Sequence, residues 1–175
     1  DAVGRVIRTD NPSGTSSRAT YDLAGRTLET AAHDSGGTKV MSTTATYDAV
    51  GNLLTSTDPA GVTTTFAYDA TNTLSTVTQP KASGHNIVTT YGYDASGNVT
   101  RVTDGNGHVW GTTYNTWGLV ESKVEPATTE HPSLSDRTFT TRYDAGGLPV
   151  AEFQPGNTIT RSFDNLGRLT SEGGT

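Results

Sequence analysis

The chain has 175 residues, 31% of them hydrophobic and 17% charged, with 34 threonines, 20 glycines and no cysteine. That suits one thinly hydrophobic domain and excludes a disulfide framework, a thiolate metal site and a cysteine nucleophile. Eighteen acidic against twelve basic side chains give a formal net charge of −6, so the general attraction that holds a phosphate backbone is missing and nucleic acid is not an expected partner. No stretch approaches the roughly 20 apolar residues of a membrane helix, and the first ten residues hold no apolar signal core, so no membrane insertion is expected.

The chain opens on a corner, Asp1 to Gly4, and then repeats it. An aromatic, Asp, two variable residues and Gly recur as Tyr21-Asp22-x-x-Gly25 and Tyr47-Asp48-x-x-Gly51. Next come Tyr68-Asp69-x-x-Asn72, which replaces the glycine, Tyr93-Asp94-x-x-Gly97, and Tyr114-Asn115-x-x-Gly118, which replaces the aspartate. Tyr143-Asp144-x-x-Gly147 and Phe163-Asp164-x-x-Gly167 complete the series. Counting from an aromatic position just before Asp1, the intervals run 21, 26, 21, 25, 21, 29 and 20 residues, short and long in alternation. Chance does not keep eight copies in such register, and self-similarity of this kind decides the architecture before any single element does.

Asp at the first position and Gly at the fourth are what a type I turn favours: the carboxylate accepts backbone N–H groups and Gly takes the left-handed residue that follows. In a hairpin this gives a loop of three to five residues with a glycine bulge. Asn72 fits the same backbone demand, since Asn is among the few non-glycine residues that visit that region readily. Between corners lie Thr-, Val- and aromatic-rich runs, Val62 to Tyr68, Asn86 to Tyr93 and Val109 to Tyr114, of the kind that favours extended chain. Second turn signals precede them in the short units, at Asp58-Pro59-Ala60-Gly61, Asp104-Gly105-Asn106-Gly107 and Gln154-Pro155-Gly156-Asn157. The long units carry loops there instead, around His33 to Gly37, Pro80 to Gly84 and Pro126 to Asp136.

Each interval is therefore two strands, about 14 in all. No helical apolar stripe persists over ten residues. The expected fold is all-β: antiparallel hairpin repeats in a meander, a single array over residues 1–175 that begins and ends within repeat units, with no separate catalytic domain. Alternation puts Phe66 with Tyr68, Tyr91 with Tyr93, Trp110 with Tyr114, Phe139 with Tyr143 and Ile159 with Phe163 on one face. The sixth residue after the aromatic is apolar in Val6, Leu53, Leu74, Val99, Val120 and Leu169, while Thr27 and Pro149 depart. Twist makes so large a sheet curl or close with the aromatics inside; the alternative is a flatter piece whose apolar face a second copy covers.

Catalysis has little to stand on. Turn capping accounts for the recurring aspartates, and no Gly-x-Ser-x-Gly elbow occurs. His33, His85 and His131 fall in successive long loops, whose bases lie roughly 19 Å apart at about 4.8 Å per strand, too far for one zinc ion. They are read as exposed loop histidines, and His108 as lacking a partner nearby in sequence. The glycine-rich Gly105 to Gly107 and Gly146-Gly147 are turns with no following helix to hold phosphate, and the sequon Asn98-Val99-Thr100 is incidental. No cofactor, metal ligand or catalytic residue is assigned. Trp117, at a variable corner position, is the one candidate contact for a glycan.

The pattern Tyr-Asp-x-x-Gly-[Asn/Arg]-[Leu/Val] resembles the YD repeat of Rhs proteins, also found in insecticidal toxin complexes, wall-associated bacterial proteins and teneurins. Tyr47 to Leu53, Asp58 to Gly61 and Thr63 to Tyr68 carry the resemblance most fully, and it extends over the whole chain. It implies a hairpin ribbon that spirals into a hollow shell, enclosing a C-terminal toxin segment in bacterial members until delivery. On that reading the partners are neighbouring repeats of the shell and the toxin segment, self-association of this stretch is open, and the location is secreted or at the bacterial surface. Asp58-Pro59-Ala60-Gly61 resembles part of the family's self-cleaving segment but stands at an ordinary turn position, without the arginine and aromatic context. The alternative function is a carbohydrate-binding or adhesion module of a wall-associated surface protein.

Overall fold

A computed structural model of the chain describes residues 1–81 and 84–175. They form two compact units, Asp1–Val88 and Thr89–Thr175. In the first, β1 (Arg8–Asp10), β2 (Ser16–Tyr21), β3 (Thr27–His33), β4 (Lys39–Tyr47), β5 (Leu53–Thr57), β6 (Thr63–Tyr68) and β7 (Leu74–Gln79) follow one another. Each pairs antiparallel with the next. Strand β8 (Ile87–Tyr93) spans the division, and β9 (Val99–Thr103), β10 (Val109–Tyr114), β11 (Val120–Val124), β12 (Thr138–Tyr143), β13 (Pro149–Gln154), β14 (Asn157–Phe163) and β15 (Leu169–Gly174) continue the second unit. These too pair antiparallel in chain order. The all-β meander is as the repeat implies. Fifteen strands are described, not about 14, because two per interval leaves out β15, the strand after the last corner.

Every aromatic corner carries the same irregularity. Thr46 faces Thr55 and Tyr47 faces Leu53, which leaves Leu54 as the extra residue. The shift recurs at Tyr21, Tyr68, Tyr93, Tyr114, Tyr143 and Phe163. The extra residue stands three positions past the residue in left-handed conformation, Gly51 or its counterpart, and re-aims the outgoing strand by one residue. Before it, the tight turn sets the sixth residue after each aromatic directly opposite that aromatic, which is the physical origin of the apolar preference there.

The sheet face is thinly covered. Among the described residues only Ala31, Ser16 and His33 are buried, and no side chain is under 2% exposed. The aromatic positions Phe66, Tyr68, Tyr91, Phe139, Ile159 and Phe163 are half-buried, and Trp110 is exposed. Tyr91 and Trp110 both register with Val102 on β9, so an aromatic flanks it on either side. Threonine pairs tie strands on both faces: hydroxyls of Thr46 and Thr55 at 2.6 Å and of Thr57 and Thr63 at 2.8 Å lie opposite the aromatics, and those of Thr30 and Thr43 at 2.6 Å lie on the aromatic face. Branching at Cβ suits the extended backbone, and the hydroxyls satisfy one another across strands.

Three expectations change. His33 to Gly37 is not a long loop: Asp34 Oδ1 accepts the Gly36 and Thr38 N–H groups at 2.9 and 2.8 Å, giving a tight turn, and the added residues lengthen β3 and β4. His33 is consequently the last residue of β3 and 8% exposed, not an exposed loop histidine. A turn at Asn11-Pro12-Ser13-Gly14, with Gly14 N–H donating to Asn11 O at 2.9 Å, closes the first hairpin, at a place the expected two strands per interval had left unassigned. The Pro126 to Asp136 stretch is a loop ending in one 3-10 turn, Leu134–Arg137. The Pro80 to Gly84 loop lies partly outside the described residues.

Candidate functional site

The recurrent structure is the corner, and its residues act together. At Asp48 the Gly51 N–H returns to the Asp48 carbonyl at 3.3 Å and the Asp48 N–H donates to Asn52 O at 3.0 Å. Oδ1 of Asp48 accepts the N–H groups of Val50, Gly51 and Asn52 at 3.0, 2.8 and 2.8 Å, and Oδ2 accepts the Asn52 amide at 2.8 Å. Asp94 and Asp164 are held likewise, Oδ2 taking Asn98 Nδ2 at 3.0 Å and Arg168 Nε at 2.7 Å. Asn115 keeps the role of Asp22 and its counterparts with its amide oxygen, which accepts the Trp117 and Leu119 N–H groups at 3.0 Å each. Asn72 has φ 62°, the only positive value among the described non-glycine residues, so it does substitute for glycine in backbone terms. Its side-chain oxygen also accepts the Asn52 amide of the preceding corner at 3.2 Å.

Corners are tied to one another as well. Arg26 bonds Asp22 Oδ2 at 2.6 Å, reaches the Asp48 carbonyl at 2.9 Å and lies 4.9 Å over the Tyr47 ring. Arg5 does the same toward Asp22 and Tyr21, at 3.1 and 4.7 Å. A planar guanidinium serves both contacts at once, donating in its plane and stacking on its face. Further along, Leu119 and Leu148 replace these arginines and pack against the sites of Gly147 and Gly167.

A second tie, unforeseen from the sequence, is the tyrosine hydroxyl. Tyr21, Tyr47, Tyr68, Tyr114 and Tyr143 donate to the carbonyls of Val6, Thr27, Leu53, Val99 and Val120, at 2.8–3.2 Å. The acceptor is in each case the sixth residue of the previous repeat. Because the contact is to backbone, Thr27 serves as well as Val or Leu. The signal was present: the corner aromatic is Tyr in six copies and Phe only at Phe163, a preference that packing alone does not create. We expect Tyr143→Phe to cost about 1 kcal/mol in urea denaturation; an unchanged midpoint would mean that the hydroxyl contributes nothing.

The carboxylates are structural in their electrostatics too. The Asn98 amide and then backbone N–H groups hold Asp94 below the ordinary aspartate value of 3.8. The Arg168 backbone N–H leads at Asp164, and the Thr71 hydroxyl leads at Asp69. At Asp22, Asp48 and Asp104 partial desolvation pushes upward, but hydrogen bonds from Arg26, Asn52 and His108 outweigh it. A folded-state pKa below the unfolded one stabilises fully above about pH 4 and is lost as pH falls through the lower folded values. Denaturation midpoints should accordingly be flat from neutrality to about pH 5 and drop below pH 4. A chain equally stable at pH 2.5 and pH 7 would contradict this assignment.

The other candidates are dispersed. His108, expected to lack a partner, has Nδ1 at 3.0 Å from Asp104 Oδ2, across its own turn. His33 Nδ1 is buried without a hydrogen-bond partner among the described residues. No group of three metal-ligating side chains assembles among the described residues. Trp117 is 61% exposed on its corner.

The RHS Repeat family profile matches residues 47–83, 85–109 and 93–130, the segments whose corners have just been described. Residues 47–83 and 85–130 are RHS repeats. Its fold is that of a crystallised TcdB2-TccC3 complex without its hypervariable C-terminal region, at 21% identity and TM-score 0.72 over 97% of this chain. The Photorhabdus luminescens Tc holotoxin pore gives 20% identity and TM-score 0.74 over 97%, and TcdB2-TccC3 itself 21% and 0.71 over 94%. The chain spans about a tenth of the length of these proteins, 10% of each. No curated protein sequence matches it.

Proposed function

We propose that this chain is a non-catalytic stretch of wall in a larger YD-repeat shell, one that encloses a C-terminal toxin segment of a secreted or surface-exported bacterial protein. Residues 1–175 are one array on this reading, and its partners are the repeats before and after it and the enclosed segment. The observation that carries the proposal is the row of tyrosine ties from five corners to the preceding repeat, exemplified by Tyr143 to Val120 at 2.8 Å. Such a row adds repeats without a terminating element, as a wall requires and a compact enzyme does not. The carboxylates of Asp22, Asp48, Asp69, Asp94 and Asp164 support the non-catalytic part, since each accepts turn hydrogen bonds and is held below the ordinary aspartate value, whereas a general acid needs the opposite. Similarity in fold to segments of Tc toxin proteins supports the enclosure.

The test is limited proteolysis of the natural polypeptide that carries this array. The segment C-terminal to the repeats should resist protease while the array is folded and become cleavable when a corner is broken by Gly51→Val. A C-terminal segment cut equally fast in both proteins would overturn the enclosure.

A further inference from the structure

The loop between β11 and β12 folds over a hollow in the second unit, and the arginine at its end lacks the anion that comparable arginines have. We propose that this hollow binds a small monocarboxylate with an aliphatic body, its head on Arg137 and its tail between strand and loop. The hollow has a volume of about 500 Å³. Strands β10 and β11 supply Val109, Gly111 and Val124 to its lining, and the loop supplies Pro126, Ala127 and Leu134. Val109 and Gly111 share the strand face opposite Trp110, and Gly111 registers with Val124. The loop is closed at its base, where the Glu125 N–H donates to Arg137 O at 2.9 Å and Arg137 Nη1 donates to Glu125 O at 2.6 Å. The hollow is thus preformed.

Two independent observations point to the ligand. Four arginines among the described residues are half-buried, and three of them, Arg5, Arg26 and Arg161, bond a carboxylate at 2.6, 2.6 and 2.7 Å. Arg137 is the fourth, and it lines the hollow without an ion pair among the described residues. Its Nε is buried with no hydrogen-bond partner there, while Nη1 is taken by Glu125 O. Nearby acids are engaged elsewhere: Asp136 Oδ1 accepts the Ser135 hydroxyl at 3.1 Å, and Asp104 Oδ2 lies 3.0 Å from Nδ1 of His108, at the far end of the lining. What remains is the Nε–Nη2 edge of a guanidinium, which takes a carboxylate through two parallel bonds. A partly desolvated cation without an anion is costly, and a ligand carboxylate relieves that cost. The second observation is Gly111. Its φ is not positive, and an added Cβ would meet Val124 Cβ at 3.6 Å, an ordinary contact. Neither backbone nor crowding asks for glycine in β10, where it weakens the strand. Its missing side chain leaves room for an apolar body beside Val109 and Val124. Arg137 is the one permanent cation in the lining, so a single carboxylate on an apolar tail is the match, and a dianion or a sugar is not. This inference stands apart from the wall reading.

Hexanoate is the probe. Titrated into the isotope-labelled chain, it should move the Arg137 Nε–H and Gly111 amide resonances saturably and over one concentration range. Hexanol, which keeps the tail, and acetate, which keeps the head, should each bind about tenfold more weakly. Gly111→Val fills the hollow with a good strand former, and Arg137→Gln removes the cation; each should weaken hexanoate binding about tenfold or more. Arg142→Gln, an exposed arginine of β12 outside the lining, should leave it unchanged. The titrations of the unaltered chain decide the matter even where a variant fails to fold. No saturable shift at the two resonances, hexanol or acetate bound as tightly as hexanoate, full affinity in folded Gly111→Val or Arg137→Gln, or an equal loss in Arg142→Gln would each overturn the proposal.

Discussion

Gly51→Val should cost about 2–3 kcal/mol of stability, the largest effect of any single corner change. Gly51 has φ +106°, beyond the left-handed helical region that Asn tolerates, and a β-branched residue there is a steric outlier. Space is not the obstacle, since a Cβ at Gly51 would meet Arg26 Nη1 at 3.7 Å, an ordinary contact. The cost is therefore backbone strain, and Gly51→Ala should fall between glycine and valine. Urea denaturation followed by circular dichroism measures it. Equal midpoints for wild type and Gly51→Val would show that this corner does not require its conformation.

Asp48→Ala should lower the thermal midpoint by roughly 5 °C, because it orphans several backbone N–H groups together. Oδ1 of Asp48 receives three N–H groups and Oδ2 an amide, whereas Asp144 receives two N–H groups through Oδ1 and, among the described residues, nothing through Oδ2. Asp144→Ala should accordingly be the milder change, and Asp48→Asn, which keeps the Oδ1 acceptor as Asn115 does, milder still. Asp48→Ala no more harmful than Asp144→Ala would refute the hydrogen-bond accounting.

The corners were legible in the sequence because their chemistry is local. Asp accepts the N–H groups of residues two and four ahead, Gly or Asn72 turns the chain, and nothing distant is needed. The apolar sixth position was also visible, although its cause, the turn that sets Leu53 opposite Tyr47, depends on strand pairing. The Tyr-to-carbonyl ties were not seen, since the acceptor, a backbone atom 15 to 23 residues away, leaves no compositional trace, and only the preference for Tyr over Phe marks the donor. His33 to Gly37 was misread from interval length, as extra residues can extend strands as readily as a loop. The Asn11 to Gly14 turn was overlooked although Pro and Gly mark it. Trp117 stood out as a residue, but Gly146 and Gly147, which line a hollow beside it, came to it only through the pairing of adjacent hairpins, which a single corner does not reveal.

The central claim is that Asp-to-Gly corners close successive antiparallel hairpins. Cross-strand nuclear Overhauser effects in the isotope-labelled chain test it most directly. The account predicts contacts between the backbones of Thr46 and Thr55 and of Arg142 and Ala151, the pairs that flank the Asp48 and Asp144 corners, with Leu54 and Val150 out of register. Helical contacts three residues apart through either corner, or a register that places Asp48 or Asp144 in mid-strand, would contradict it.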